Sequence, residues 1–165
     1  MYPISDAVKQ LFEKHNRQVV EITVAGQDET ITLNESNIRG MSVNRYSVTG
    51  SRIEIGSAVA SELRLKIENN DGQFNDFRFE GAECFVRVGV VDDEEDGAIN
   101  YVPMGYFTID QAPRKLKVIS LSALDRMVLF DKEVDTSLLS FPMTVSALLN
   151  RVCEICNVQD SVGVL

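Results

Sequence analysis

Positive charge is scarce in this chain and histidine scarcer: 16 Lys and Arg stand against 25 Asp and Glu, with one His. The resulting net charge of −9 argues against a phosphate-gripping surface, because nucleic-acid binders cluster positive side chains. Any imidazole chemistry would have to run through His15, which has no catalytic partner nearby in sequence and reads as a packed or capping residue. No apolar run approaches the roughly 18–20 residues of a membrane helix, and MYPISDAVKQ lacks the basic and apolar regions of a signal peptide. HExxH, GxSxG, a Walker loop and a dinucleotide fingerprint are all missing. Together these absences predict a soluble chain with no secretory address, no membrane segment, no cofactor and no enzymatic role.

Three cysteines are too few and too odd in number for a disulfide framework, which fits a reducing compartment. Cys153 and Cys156 do form a CxxC. A redox role needs that motif at a helix N-terminus, and a zinc role needs a second pair of ligands. In MTVSALLNRVCEICN the positions Val145, Leu148, Leu149, Val152, Cys153 and Cys156 recur at helical spacing, so both thiols are expected on the apolar face of a helix near its end.

What the chain does have is alternation. With 165 residues and 44% hydrophobic content it can bury one sizeable core. An amphipathic helix is expected over residues 4–15, with Ser5 as its N-cap and Ile4, Val8, Leu11, Phe12 and His15 along one stripe. RQVVEITV and ITL, separated by AGQDET, read as a hairpin. Gly40, Gly50 and Gly56 punctuate short β-type runs that suit a bent sheet. In ELRLKIEN, Leu63, Leu65 and Ile67 point one way while Glu62, Arg64, Lys66 and Glu68 point the other. AECFVRVGVV is apolar at nearly every position and reads as a central strand buried on both faces.

Two acidic loops invite a calcium reading. NNDGQFND would place Ile67 at the first ligand position of an EF-hand loop, so turn chemistry accounts for it better. DDEEDG has Asp92, Glu94, Asp96 and Gly97 in register, but Pro103 replaces the closing glutamate and the flanks are strand-like. A solvated hairpin tip whose charge opposes edge pairing is the expectation. GYFTIDQAPRKLKVISLSAL then reads as two strands around a turn at residues 112–115, with Leu116 and Val118 continuing the core pattern. In SALDRMVLFDKE the apolar Met127, Val128, Leu129 and Phe130 are framed by Asp125, Arg126, Asp131 and Lys132. This predicts a one-turn helix or sharp corner pinned into the core, with Asp125 capping its start and the other charges solvated.

Five segments in order, MYPISDA, GSRIEIGSAVASELRLKIEN, VPMGYFTIDQA, SALDRMVLFDKE and FPMTVSALLNRVC, resemble the N-terminal region of phage and prophage tail proteins. That family is variously described as minor structural, tail-associated or baseplate hub proteins. The resemblance implies a mainly β, α+β fold: an antiparallel, barrel-like tube domain over residues 1–140, and a C-terminal helix at 141–165 that begins a following region. It also implies a virion structural protein, made in the bacterial host cytoplasm and located in the tail. There it would assemble as a trimer with itself, and with other tail and baseplate proteins, around a channel that DNA crosses without specific binding. The alternative within the same family is the anchoring part of a tail-associated peptidase or cell-wall hydrolase whose catalytic domain lies outside this chain. On either reading the partner-facing candidates are Glu62, Arg64, Lys66 and Glu68, together with the acidic tip Asp92, Asp93, Glu94, Glu95 and Asp96; plain solvent exposure is the simpler role for any one of them.

Overall fold

The alternation in ELRLKIE organises the centre of the fold. In the computed structural model, which describes residues 4–14, 17–45, 60–92, 97–130, 133, 135, 137 and 139–158, this stretch is strand β4 (Glu62–Glu68). Its Leu63, Leu65 and Ile67 are each 1% exposed or less. The elements run α1 (Asp6–Glu13), β1 (Gln18–Ala25), β2 (Thr30–Leu33), β3 (Ile38–Asn44) and β4, then β5 (Glu83–Asp92) and β6 (Ala98–Gln111). They continue with β7 (Arg114–Lys115), β8 (Val118–Asp125), a 3₁₀ turn (Arg126–Phe130) and α2 (Val145–Ile155).

Among the described residues the eight strands form one antiparallel sheet in the order β2-β1-β5-β6-β8-β4-β3, with β7 pairing β8 off that path. The mainly β, α+β expectation holds. The sheet is open rather than barrel-like, because β2 and β3 end the order without pairing to each other. One apolar face gathers a continuous core from both halves of the sheet, including Ile22 and Val24 of β1, Leu63 and Leu65 of β4, Val86 of β5, Ile109 of β6 and Leu121 of β8. Register makes this possible. Leu63, Leu65 and Ile67 stand opposite Ala123, Leu121 and Ile119 on β8, and opposite Val43, Met41 and Ile38 on β3. Each strand therefore delivers its apolar set to the same side.

The loop between β4 and β5 caps this core with aromatics. Phe74, Phe77 and Phe79 are buried, with ring centroids 6.1 Å apart for Phe74–Phe79 and 4.6 Å for Phe77–Phe79. The turn that aims them is NNDGQFND, as expected from its composition. Gly72 takes a φ of 71°, and Asn69, buried, accepts the Phe74 N–H at 3.0 Å and donates to Asn75 Oδ1 at 2.9 Å. Arg114 then ties the far hairpin to the loop by donating to Asn75 O at 2.8 Å and Phe77 O at 2.7 Å.

The hairpin expected from RQVVEITV and ITL is β1–β2, paired Ile22↔Leu33 through Ala25↔Thr30. Helix α1 starts where Ser5 caps it, its Oγ accepting the Val8 N–H at 3.4 Å; Ile4, Val8, Leu11 and Phe12 are half-buried, and His15 lies outside the described residues. Strand β5 is central, between β1 and β6, with Cys84, Val86 and Val90 fully buried; its second face is mostly half-buried rather than sealed.

Two expectations are corrected. The turn after β6 lies one step further on than residues 112–115: Lys115 pairs with Val118, so Leu116 and Lys117 form a two-residue tip. Leu116 is 96% exposed instead of joining the core. The apolar run 127–130 does form a short helical turn, but Met127, Val128 and Leu129 are 37–40% exposed and Phe130 is half-buried, so it is not pinned into the core. A five-residue 3₁₀ turn has three residues per turn and cannot turn every consecutive apolar side chain the same way.

Contacts group the described residues of Met1–Arg45 and Ser61–Asp125 into one compact unit, and those of Tyr46–Ala60 and Arg126–Leu165 into another. Within the second unit, α2 is capped by Thr144, whose Oγ1 accepts the Ala147 N–H at 3.2 Å, and Cys156 is buried. No helix among the described residues is long and apolar enough to cross a membrane.

Because Phe79 is fully buried and touches both neighbouring rings, Phe79→Ala should lower the unfolding free energy by about 3–5 kcal/mol. Urea denaturation followed by far-UV circular dichroism reads this directly.

Candidate functional site

The pleat that sends Leu63, Leu65 and Ile67 inward sends Glu62, Arg64, Lys66 and Glu68 outward, onto the face the sheet does not use for its core. Cross-strand register then sets their neighbours. Arg64 lies between Ser42 of β3 and Ser122 of β8, and Lys66 between Gly40 and Ser120. Short residues around long ones leave an open recess of about 680 Å³. Its wall also includes Gln111 at the end of β6 and Pro113 just beyond it.

The charges on this face are largely matched. Arg64 Nε donates to Glu62 Oε1 at 2.8 Å, and Ser122 Oγ donates to the same oxygen at 3.5 Å. At the other end of β4, Arg39 grips Glu68 with Nε–Oε2 at 2.8 Å and Nη2–Oε1 at 2.6 Å, a two-pronged geometry that fixes orientation as well as charge. The Arg64 hydrogen bond holds the Glu62 carboxyl below the usual carboxylate range, and the Arg39 hydrogen bond does the same for Glu68. The four sequence-predicted residues thus share one polar, hydroxyl-edged surface.

Asp92 is elsewhere. It ends β5 opposite Ala98, and β6 and β8 separate β5 from β4, so Asp92 does not join the β4 face. Asp93, Glu94, Glu95 and Asp96 lie outside the described residues, as do Asp131 and Lys132.

A third cluster lies on the outward side of β1, β5 and β6. Arg87 forms an ion pair with Glu21, its Nε donating to Oε1 at 2.9 Å, and its guanidinium stacks 4.2 Å from the centre of the Tyr101 ring. Tyr101 also donates to Glu21 Oε2 at 3.3 Å. Desolvation first, and then the Glu21 charge, push the Tyr101 hydroxyl above its ordinary pKa. Beside it Phe85 and Tyr106 pair at 4.7 Å. This cluster went unread in the sequence, although a signal exists: Arg87 is the one cation inside the apolar run of β5.

The cysteines show no reactive setting. Burial, and then the neighbouring Glu83, push the Cys84 thiol up to about 12. Cys153 and Cys156 occupy the C-terminal end of α2, not the helix N-terminus that a redox CxxC needs. The expectation of two apolar-face thiols is met more fully by Cys156, which is buried, than by Cys153, which is half-exposed. Among the described residues no three His, Cys, Asp or Glu side chains converge as a metal would require.

Comparison with known proteins gives a fold and no family. No family model matches the chain, and no curated protein matches it. Among solved structures, a chain from the virion of a native gene transfer agent particle superposes with a TM-score of 0.53 at 9% sequence identity, over 79% of this chain and 48% of that one. At that identity the likeness is one of fold, and the present chain spans about half the length of the chain it matches.

The lowered pKa values of Glu62 and Glu68 have a stability consequence. A carboxyl depressed in the folded state contributes stability that is fully present above its unfolded pKa of about 4.3 and is lost as pH falls through the folded value. Stability should therefore fall on acidification from pH 5 towards pH 3, as measured by urea melts at stepped pH. In Arg39→Ala, ¹³C-carboxyl titration should find Glu68 shifted back up towards the ordinary range.

Proposed function

We propose that this chain is a structural component of a phage or phage-derived tail, contributing to an oligomeric ring at the tail hub or tip that surrounds the DNA channel. The observation that carries the reading is the fold likeness to a virion protein across 79% of the chain, obtained at only 9% identity. Architecture of that extent surviving without sequence similarity fits a role defined by shape and surface, not by a conserved reactive centre.

Three features of the chain support the same reading. The apolar side of β4 is committed to the core, while its other side carries ordered ion pairs and hydroxyls, as expected of a wall element that meets neighbours through polar contact. The formal charge of −9 suits a protein beside DNA that must not hold it. Among the described residues the side chains with displaced pKa values are Glu62, Glu68 and Arg39 of two ion pairs, Asp135 hydrogen-bonded by Ser137, a Tyr in a stacked cluster and a buried thiol, an inventory that calls for no catalytic step. The role is non-enzymatic. Its partners are further copies of the chain, as a trimer, and other tail proteins, and its place is the virion tail after synthesis in the bacterial host.

Deleting the gene from its parent element should leave particles without functional tails, and mass spectrometry of purified wild-type particles should find this chain's peptides in them. Particles of normal morphology and infectivity in the deletion strain would refute the reading.

A further inference from the structure

Cations gather on one part of this acidic chain. Residues that face each other across strands share a side of the sheet, so register fixes what the outward side of β3, β4, β8 and β7 presents. Gly40, Lys66 and Ser120 lie in one row, and Ser42, Arg64 and Ser122 in the next. Glu68 stands opposite Val118, which pairs with Lys115, and Lys117 comes close enough for its charge to favour the Glu68 carboxylate. Both carboxylates of these rows are already matched, Glu62 to Arg64 and Glu68 to Arg39. Lys66, Lys115 and Lys117 are all exposed, and Lys66 and Lys115 have no ion-pair or hydrogen-bond partner among the described residues. A chain of net charge −9 thus carries a surplus of positive charge on one face of its sheet.

The surroundings of Lys66 are open and hydroxyl-rich. It lines the recess of about 680 Å³ together with Ser42, Ser120 and Ser122. Gly40 leaves space beside it, with no atom within 4 Å of where a Cβ would stand. Hydroxyls that can donate, around one flexible ammonium, suit a carboxylate.

Spacing selects the kind of anion. Lys115 is separated from Lys66 by β8, so their strands lie about 10 Å apart at the usual spacing. One carboxylate or phosphate cannot reach both, whereas successive acids of an extended segment can. Glu62 and Glu68 also bound the cations of β4 at either end, about 20 Å apart along the strand. A nucleic-acid backbone, charged about every 3.4 Å along each strand, meets one of these carboxylates whenever it follows β4. A short acidic peptide places its charges between them. The geometry points to a docking site for an acidic segment of a partner protein, its carboxylates meeting Lys66 in the recess and Lys115 and Lys117 at the rim. This rests on the structural role proposed above and adds the chemistry of the partner.

The test is fluorescence anisotropy of a short labelled peptide of alternating Glu and Ser, titrated with the wild-type chain and its variants, with circular dichroism confirming each fold. The peptide should bind, more weakly as salt rises, and its Gln-Ser counterpart should not. Lys66→Glu should weaken binding by about tenfold. Gly40→Glu, which sets a resident carboxylate beside an intact Lys66, should weaken it too. Arg78→Glu, the same change in net charge as Lys66→Glu but outside the recess lining, should leave binding largely unchanged. No binding at low salt, or binding that neither recess variant alters, refutes this site and leaves the virion role to the deletion test. A DNA duplex that binds at least as tightly and is lost in Lys66→Glu overturns the acidic segment in favour of nucleic acid. Displacement of the peptide by an equal concentration of inorganic phosphate shows a single-anion site and refutes the spaced contacts. Peptide binding that depends on Lys66, alongside normal particles in the deletion strain, keeps this site and removes the virion role.

Discussion

The register of β4 between β3 and β8 is the constraint on which the rest depends. Its side chains alternate without a break, and both neighbours supply apolar residues opposite Leu63, Leu65 and Ile67. A slip of one residue would turn those three into solvent, forfeiting about 1.5–3 kcal/mol for each. It would also press Arg64 and Lys66 into an apolar core, where desolvating a charge costs several kcal/mol more. A one-residue slip therefore does not compete. Everything on the outward face, from the Glu62–Arg64 pair to the Arg39–Glu68 grip, inherits its position from that choice.

The β4–β5 loop completes what the sheet begins. Strands alone leave the core open at one end, and Phe74, Phe77 and Phe79 fill it because Asn69 and Gly72 turn the backbone towards it. Arg114 supplies partners to two carbonyls of this loop, groups that are costly to leave unsatisfied beside an apolar core. The same bonds stiffen the β7–β8 hairpin. Packing of the aromatic cap and presentation of the Leu116 tip are thus coupled through one guanidinium.

Function on this reading comes from the layout of surfaces, since the interior is spent on stability. Ion pairs along β4 are exposed and individually weak, so their value lies in fixing a pattern that a neighbour can recognise and in excluding mismatched ones. On the proposed reading such a surface acts in an assembly; the likeness to a virion chain at 9% identity is one of fold alone.

Alternation and capping were legible from residues alone. Val20, Ile22 and Val24 announced β1, the ELRLKIE pattern announced β4 with both of its faces, and Ser5 marked the start of α1, because period and cap chemistry are local properties of the chain. Leu116 and the 127–129 run were misread for the same reason. An apolar side chain signals burial only where backbone geometry lets it turn inward, and a two-residue tip and a 3₁₀ turn do not. The Glu21–Arg87–Tyr101 cluster joins positions 66 and 80 residues apart from Glu21, a separation that no local pattern encodes. By itself, then, the sequence determined the strands, their inward faces and the sign of charge on each segment. Only the tertiary structure decided which strands adjoin, that the sheet stays open, and that Arg87 meets Glu21 and Tyr101, because strand order depends on long-range pairing of faces that are individually almost alike.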